Sequence, residues 1–406
     1  LIKEEKIDAG HDIGSGGLIT TLLELSFASQ NVGANYDLTS LNEVDSVKAL
    51  FNENIAVVFQ ANTSVEAVFE KANIAIHKIG TVTASNEVNI KNHNESFTFD
   101  VAKSRKTWFH TSYLLDQKQT KNGLAKERFD NFDKQALTYS FPKHFNGDLP
   151  KIDASKPRPK AAIIREKGSN SEREMANAMY LAGFDVKDVH MTDLISGREN
   201  LEDIQFIGAV GGFSNSDVLG SAKGWAGAFL YNEKAKTALK NFFDREDTLS
   251  VGICNGCQLF MELEVINPEH KVHGKMTHNT SNKHESGFTS VKIQKNNSVM
   301  LSSLEGSTLG VWISHGEGKF KLPENESAYN IVGKYGYENY PANPNGSDYN
   351  TAMLCDKTGR HLVMMPHIER STFPWNWANY PDANKNDKVS PWLEGFVNAK
   401  KWIENK

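Results

Sequence analysis

The segment "TLSVGICNGCQLF", residues 248–260, predicts a buried β-strand that turns sharply into an α-helix. Cys254 stands at the turn, with Gly252 two residues before it and Gly256 two residues after it. This is the layout of a nucleophile elbow, a turn so tight that side chains at both flanking positions would collide. The elbow lifts the thiol above the sheet at a helix amino terminus, whose partial positive charge stabilises a thiolate. The sequence therefore predicts that Cys254 is a nucleophile.

Other interpretations of the cysteines stay open at this point. Cysteine is often only a small buried residue, and Cys254 with Cys257 also fits a redox dithiol or half of a zinc site. The one further cysteine, Cys355, stands alone in the sequence. Candidate zinc ligands in a hydrophilic, loop-like stretch are His270, His273, His278 and His284.

Short apolar runs alternate with helical patterns from residue 160 onward, which predicts βαβ units and a parallel sheet. These segments are "KAAIIRE" (160–166), "NSEREMANAMYLAG" (170–183), "FDVKDVHM" (184–191), "DIQFIGAVGG" (203–212) and "NEKAKTALKNFFDRE" (232–246). Active sites of such sheets lie at the carboxyl ends of the strands. Both "GGFSNSD" (211–217) and "CNGCQ" (254–258) fall at such ends.

Residues before 158 have a different pattern of apolar and polar residues. Residues 1–105 mix a helical pattern with alternating strands, as in an α+β unit. Residues 106–157 are polar and charged and end near Pro157, which predicts a linker with one or two short helices. Residues 158–406 hold the βαβ pattern. A length of 406 residues agrees with two or three domains.

Composition limits the partners and the compartment. A net charge of −5 gives no global basic field for nucleic acid or anionic lipid. Three cysteines suit a reducing compartment, and the sequence contains neither a run of eighteen apolar residues nor a signal-like start. We expect a cytoplasmic protein without nucleic-acid or membrane partners. The chain starts at Leu1 beside a glycine-rich motif, and we expect it to be a piece of a longer polypeptide.

A nucleophilic cysteine needs a base, and the base needs a group that orients it. The segment "RHLVMMPHIER" (360–370) supplies a strand followed by His367 and Glu369. If the chain stays extended there, residues two apart face the same side. His367 would then take the thiol proton while Glu369 fixes its tautomer.

Taken together, these motifs resemble the class I, triad-type glutamine amidotransferases, through "GICNGCQ" (252–258), "GGFSNSD" and "PHIE" (366–369). A denser set resembles the glutaminase end of the formylglycinamidine ribonucleotide synthase family of purine biosynthesis. These segments are "REKGSNSEREM" (165–175), "VHMTDL" (189–194), "GGFSNSDVLGSAKGW" (211–225), "SHGEGKF" (314–320) and "YPANPNGS" (340–347). The resemblance implies a flavodoxin-like α/β domain with a parallel sheet, preceded by a smaller α+β domain. "HDIGSGGLITTLLELSFA" (11–28) resembles the start of the last synthetase-type subdomain, whose fold is shared with AIR synthetase.

The same resemblance implies roles for five residues. Cys254 forms a γ-glutamyl thioester with glutamine, His367 is general base and then acid, and Glu369 orients it. Backbone groups at Gly212 and Asn255 form the oxyanion hole. The ammonia released then passes through the family's internal passage to the synthetase part.

In the synthetase part, the resemblance implies an ATP-dependent ligase that converts formylglycinamide ribonucleotide to formylglycinamidine ribonucleotide with glutamine as amide donor. Asp12 corresponds to a ligand of Mg²⁺ on an auxiliary nucleotide, and Gly14 to a contact of that nucleotide. Most of the ATP-binding machinery of the family is not in these residues. We expect the chain alone to be at most a glutaminase.

The sequence departs from the family pattern at three places. His367-Ile368-Glu369 replaces the common His-Pro-Glu, Gly14 replaces a serine, and "THNTSNKHESGF" (277–288) lacks the expected arginines near the glutamine pocket. Other cysteine-elbow hydrolases, a differently coupled amidotransferase and a catalytically idle binding fragment are the alternatives.

Overall fold

The chain is described by a computed structural model that covers residues 1–29, 31–62, 64–134, 137–153 and 155–406. It divides into two compact units, residues 1–118 and 119–406. In the part of the chain so described, no helix is both long and apolar enough to cross a membrane.

The first unit is an α+β structure, as the sequence predicts. Its elements are β1 (Ala9–Asp12), α1 (Gly17–Phe27), β2 (Gly33–Asp37), α2 (Ser46–Leu50), β3 (Val57–Gln60), α3 (Glu66–Lys71), β4 (Gly80–Thr83), β5 (Glu87–Asn92), β6 (Glu95–Asp100) and α4 (Val101–Gln119). Strands β4-β2-β5-β6 form one sheet in that order, and β1 pairs with β3. Leu18 and Leu22 of α1 share a core cluster with Val88 and Ile90 of β5.

Helix α4 differs from the polar linker expected after residue 105. It begins at Val101 and runs for 19 residues to Gln119. The Asp100 carboxylate accepts the Lys103 N–H at 2.7 Å, and the helix contains neither glycine nor proline. Polar composition alone does not prevent a helix when its first turn is capped and its interior holds no breaker.

The second unit is an α/β structure with a large sheet. Its elements are α5 (Leu124–Asn131), β7 (Lys160–Arg165), β8 (Ser169–Asn170), α6 (Glu172–Ala182), β9 (Asp185–His190), α7 (Met191–Ser196), β10 (Phe206–Ala209), β11 (Gly211–Gly212), α8 (Lys223–Leu230), α9 (Glu233–Asp244), β12 (Leu249–Ile253), α10 (Asn255–Glu262), β13 (Lys275–Thr277), β14 (Glu285–Ile293), β15 (Thr308–His315), β16 (Lys319–Lys321), β17 (Asn330–Tyr335), β18 (Thr351–Cys355), β19 (His361–Met364) and α11 (Leu393–Glu404).

The predicted parallel sheet is confirmed for five strands. In the nine-stranded sheet, with order β15-β14-β17-β18-β19-β12-β10-β7-β9, the last five run parallel to one another. Strands β10 and β12 are buried along their whole length, as expected for parallel strands covered on both faces. The other four strands pair antiparallel and extend the sheet beyond β19. The βαβ pattern gave no sign of this extension.

Candidate active site

The turn at Cys254 has the strained backbone of a nucleophile elbow. Cys254 lies between β12 and α10 with φ 54° and ψ −105°. A Cβ on Gly252 would lie 2.6 Å from the carbonyl oxygen of Gly256, and a Cβ on Gly256 would lie 2.0 Å from that of Ala209. Both glycines are therefore required by close backbone approach, Gly252 within the turn, as the sequence suggested, and Gly256 against the neighbouring strand β10.

Neighbouring strand ends bring the predicted groups together. Cys254 follows β12, Gly211 follows β10 and His367 comes after β19, and these three strands are adjacent in the sheet. A Cβ on Gly211 would lie 2.8 Å from Cε1 of His367 and 3.4 Å from Cβ of Cys254. The thiol of Cys254 is near enough to the imidazole to favour the protonated form of His367 and so to raise its pKa. The carboxyl edge of the parallel strands thus holds both groups in one place.

The carboxylate of Glu369 binds the other side of the imidazole. Nδ1 of His367 lies 2.6 Å from Oε1 of Glu369, and both residues are 2% exposed. The chain does not stay extended here, because Ile368–Arg370 forms a 3₁₀ turn. Burial by itself lowers the pKa of His367, but the charge of Glu369 and the nearby Cys254 outweigh it and raise that pKa to about 10.

Three residues that the sequence did not indicate fix the position of these groups. The His367 N–H donates to the carbonyl of Trp312 at 2.9 Å, and the Ser371 hydroxyl donates to the His367 carbonyl at 3.1 Å. The thiol of Cys254 donates to the carbonyl of Ser314 at 3.6 Å. All three contacts use backbone carbonyls, which leave no signal in side-chain chemistry.

The predicted oxyanion donors lie on the two segments that flank the thiol. Gly212 has φ 111° and is paired with Ser169 in a short ladder. Asn255 is the first residue of α10, and its Oδ1 accepts the N–H of Ser214 at 3.3 Å. This hydrogen bond joins the glycine turn to the elbow.

The geometry gives less support to a redox dithiol or a zinc site at the cysteines. Cys254, Cys257 and Cys355 are all free. Cys257 is fully buried, and burial raises its pKa well above the usual value, which opposes the thiolate that dithiol exchange requires. Across the ranges described, no three histidine, cysteine, aspartate or glutamate side chains group as metal ligands.

Asp12 and Gly14 lie in the first unit and are distant in sequence from Cys254 and His367. The side chain of Asp12 is 83% exposed, and a Cβ on Gly14 would meet no atom within 4 Å. The N–H of Gly16 donates to Oε1 of Glu53 at 2.8 Å, so a carboxylate already binds this loop. One exposed carboxylate fits Mg²⁺ only if phosphate oxygens supply further ligands.

A cavity of about 670 Å³ opens beside the imidazole. Its lining includes Arg173, Ser314, His367, Glu369, Phe373 and Trp375. The cavity therefore gives the pair of His367 and Glu369 a route to solvent.

A cysteine on an elbow, beside an imidazole bound to a carboxylate, is the arrangement of cysteine-triad hydrolases and amidotransferases on α/β folds. Residues 158–403 match the family model of the CobB/CobQ-like glutamine amidotransferase domain. The chain belongs to this family. Residues 1–92 match the C-terminal domain of AIR synthase related proteins.

The resemblance to the formylglycinamidine ribonucleotide synthase family is confirmed by curated relatives. The chain is 38% identical, over 100% of its length and 30% of the relative, to a probable phosphoribosylformylglycinamidine synthase, chloroplastic/mitochondrial, of Arabidopsis thaliana. It is 36% identical, over 99% of its length and 32% of the relative, to the Homo sapiens phosphoribosylformylglycinamidine synthase. The structure of PurLQS from Thermotoga maritima gives a TM-score of 0.47 at 23% identity, over 61% of this chain and 99% of that one. The chain spans about a third of the length of these curated relatives.

Proposed function

We propose that the chain hydrolyses the carboxamide of glutamine, as the glutaminase part of a phosphoribosylformylglycinamidine synthase. The observation that carries this proposal is the elbow thiol of Cys254 beside an imidazole that Glu369 binds at 2.6 Å. Membership of the amidotransferase family and the printed name of the curated relatives support the choice of substrate.

In the proposed reaction, His367 takes the thiol proton to form an imidazolium–thiolate pair, and the sulfur of Cys254 then attacks the carboxamide carbon. The N–H groups of Gly212 and Asn255 stabilise the oxyanion. The protonated imidazole gives its proton to the leaving nitrogen, which departs as ammonia and leaves a γ-glutamyl thioester. Water, deprotonated by His367, then breaks the thioester to give glutamate and the free thiol.

The wider role is part of the same proposal. Ammonia would serve an ATP- and Mg²⁺-dependent synthetase that converts formylglycinamide ribonucleotide to formylglycinamidine ribonucleotide. Asp12 would hold Mg²⁺ on a nucleotide near Gly14. Calorimetric titration with Mg·ATP tests this site, and an absence of heat at millimolar nucleotide counts against it.

We also propose a cytoplasmic location. The Arabidopsis relative is named chloroplastic/mitochondrial, so a fluorescent fusion is the test that distinguishes the two locations.

Replacement of the nucleophile tests the core of the proposal. Cys254→Ala should lower the release of ammonia and glutamate from glutamine on the order of 10⁴-fold, because the thioester route is lost. The matched control is Cys257→Ala, one helical turn away, which should keep most of the activity. Undiminished hydrolysis in Cys254→Ala would refute the assignment. Faster turnover of γ-glutamyl peptides than of glutamine by the unaltered chain would instead favour a γ-glutamyl hydrolase.

A further inference from the structure

Helix α5 lies before residues 158–403, the stretch that matches the amidotransferase model, and a buried ion pair joins it to the start of β14. The guanidinium of Arg128 donates to Oε2 of Glu285 at 2.9 Å and to the hydroxyl of Tyr340. That hydroxyl donates to Oε1 of Glu285 at 2.9 Å. The side chain of Glu285 is 4% exposed and that of Arg128 is 26% exposed. Water and salt therefore screen this pair only weakly.

The residues just before α5 bind the segment that leads into β14. The N–H of Lys121 donates to the carbonyl of Ser281 at 2.9 Å, and Nδ2 of Asn122 donates to the carbonyl of Thr280 at 2.7 Å. Ser281 is fully buried. Together with the ion pair, these contacts hold the segment 280–285 at both of its ends.

The second end of this segment adjoins the nucleophile through the sheet. Glu285 lies opposite His315 in the ladder of β14 and β15, and Ser286 lies opposite Ser314. The carbonyl of Ser314 accepts the thiol of Cys254 at 3.6 Å. The ion pair is therefore one residue in register away from the strand residue that contacts the nucleophile.

The first end of the segment is preceded by Asn279, which holds the turn after β15. Its Nδ2 donates to the carbonyl of His315 at 2.7 Å, and its Oδ1 accepts the N–H of Gly318 at 3.0 Å. Its own N–H donates to the carbonyl of Gly316 at 2.9 Å. Asn279 is 2% exposed. A displacement of its segment would therefore move residues 314–318 as well.

We propose that Arg128 is a positioning residue of the active site, which acts through Glu285 to hold residues 314–318 beside the nucleophile. Without the guanidinium, the buried carboxylate loses the positive charge that this partner supplies. The cost of such a charge favours movement of the start of β14 toward water. The inference rests on the proposed function, because this wall matters only where a substrate must be oriented on Cys254.

Two alkylating reagents separate the shape of the pocket from the reactivity of the thiol. The glutamine analogue 6-diazo-5-oxo-L-norleucine must be oriented by the pocket: the thiol proton passes to the diazo carbon, N₂ leaves and the sulfur bonds to that carbon. Iodoacetamide needs no pocket: the sulfur displaces iodide, and the thiol proton passes to solvent. Peptide mass spectrometry follows both rates at Cys254. The rate for the analogue divided by the rate for iodoacetamide is compared between variants.

Arg128→Ala should lower this ratio roughly 10- to 100-fold, because a small displacement of a wall that orients the reagent is costly to its reaction. Arg128→Lys should recover part of the loss, since an ammonium restores the charge but not the fork that reaches both Glu285 and Tyr340. The matched control is Lys126→Met on the same helix. Lys126 is 67% exposed and pairs with Asp130 of α5, so this variant should keep the ratio.

A second carboxylate variant shows whether Arg128 acts through Glu285. In a Glu285→Gln background, Arg128→Ala should change the ratio by less than about 2-fold, because no buried charge is then left without its partner. Glu262→Gln removes an exposed carboxylate on the same helix as the elbow, and in this background Arg128→Ala should keep its full effect. An equal effect of Arg128→Ala in both backgrounds would overturn the role of Glu285.

The outcomes separate the two proposals. If the unaltered chain is not alkylated by the glutamine analogue at Cys254, the proposed function fails and the positioning role fails with it. If it is alkylated, and Arg128→Ala lowers only the free energy of unfolding while the ratio stays unchanged, the positioning role is wrong and the proposed function stands. If Arg128→Ala unfolds the chain, iodoacetamide also labels the buried Cys257 and Cys355. Arg128→Lys then decides, and an unchanged ratio in that variant overturns the positioning role.

Discussion

The charge of a single residue, His367, depends on two opposing effects. Burial disfavours its protonated form, whereas Glu369 at 2.6 Å and the nearby Cys254 favour it, and the second effect prevails. An imidazole with a raised pKa holds a proton beside the sulfur at neutral pH. That proton stabilises a thiolate and is available for the leaving nitrogen.

Glu369→Gln removes the largest of the effects that raise the pKa of His367 and should destabilise the chain in a pH-dependent way. The folded pKa of His367, about 10, lies above the ordinary value of about 6.5 for an unfolded chain. Its contribution to stability is therefore complete below about pH 6.5 and is lost as the pH rises through about 10. The free energy of unfolding of Glu369→Gln should be about 3 kcal/mol below that of the unaltered chain at pH 6.

Urea denaturation at pH 6, 8 and 10 measures this difference. It should shrink steadily as the pH rises, and Glu262→Gln should show no such trend. A difference that stays constant from pH 6 to pH 10 would mean that the Glu369 carboxylate does not act through the protonation of His367.

At the scale of elements, the elbow depends on how closely β12 and α10 approach their neighbours. Gly256→Ala would place a Cβ 2.0 Å from the carbonyl oxygen of Ala209, so β10 and α10 would have to move apart. The free energy of unfolding should fall by about 1–3 kcal/mol, and alkylation of Cys254 by 6-diazo-5-oxo-L-norleucine should slow. Gly287→Ala in β14 is the matched control, since its Cβ would meet no atom within 4 Å. Equal stabilities of the two variants in urea denaturation would contradict the steric argument.

The elbow was predictable because its determinants lie in one short segment of strand, turn and helix. The neighbours of that segment were not, because strand order depends on pairing between distant residues. β19 lies beside β12 with His361 opposite Ser250, and this pairing brings His367 to the thiol. The contact of His367 with the Trp312 carbonyl requires β15, a strand of the antiparallel extension that the alternating pattern did not indicate.

The two-residue spacing of His367 and Glu369 predicted that their side chains meet, but it assumed an extended backbone that the structure does not have. A two-residue separation puts His367 and Glu369 on one side of an extended strand, but here a 3₁₀ turn brings their side chains together. The turn is held by the Ser371 hydroxyl on the His367 carbonyl. Such a local anchor replaces part of the stiffness that a proline at residue 368 would give.

At the scale of the whole molecule, two units carry separate cores. The cluster around α1 and β5 lies within residues 1–118, and the large cluster of the nine-stranded sheet lies within residues 119–406. The family models also match separate stretches, residues 1–92 and 158–403. The boundaries that we predict at residues 105 and 157 stay predictions, although α4 continues through residue 105.

Because Cys254, His367 and Glu369 all belong to the second unit, a polypeptide of residues 119–406 should fold and keep the reactive thiol. Its buried strands and the helices packed on them form one core without residues of the first unit, so the loss of residues 1–118 removes no part of it. We expect 6-diazo-5-oxo-L-norleucine to alkylate Cys254 in this polypeptide within about 3-fold of the rate for the full chain, a difference of less than 1 kcal/mol in activation free energy. The same polypeptide with Cys254→Ala controls for labelling at Cys257 and Cys355. A rate more than about 10-fold lower, with circular dichroism showing a folded polypeptide, would mean that the first unit helps to order the active site.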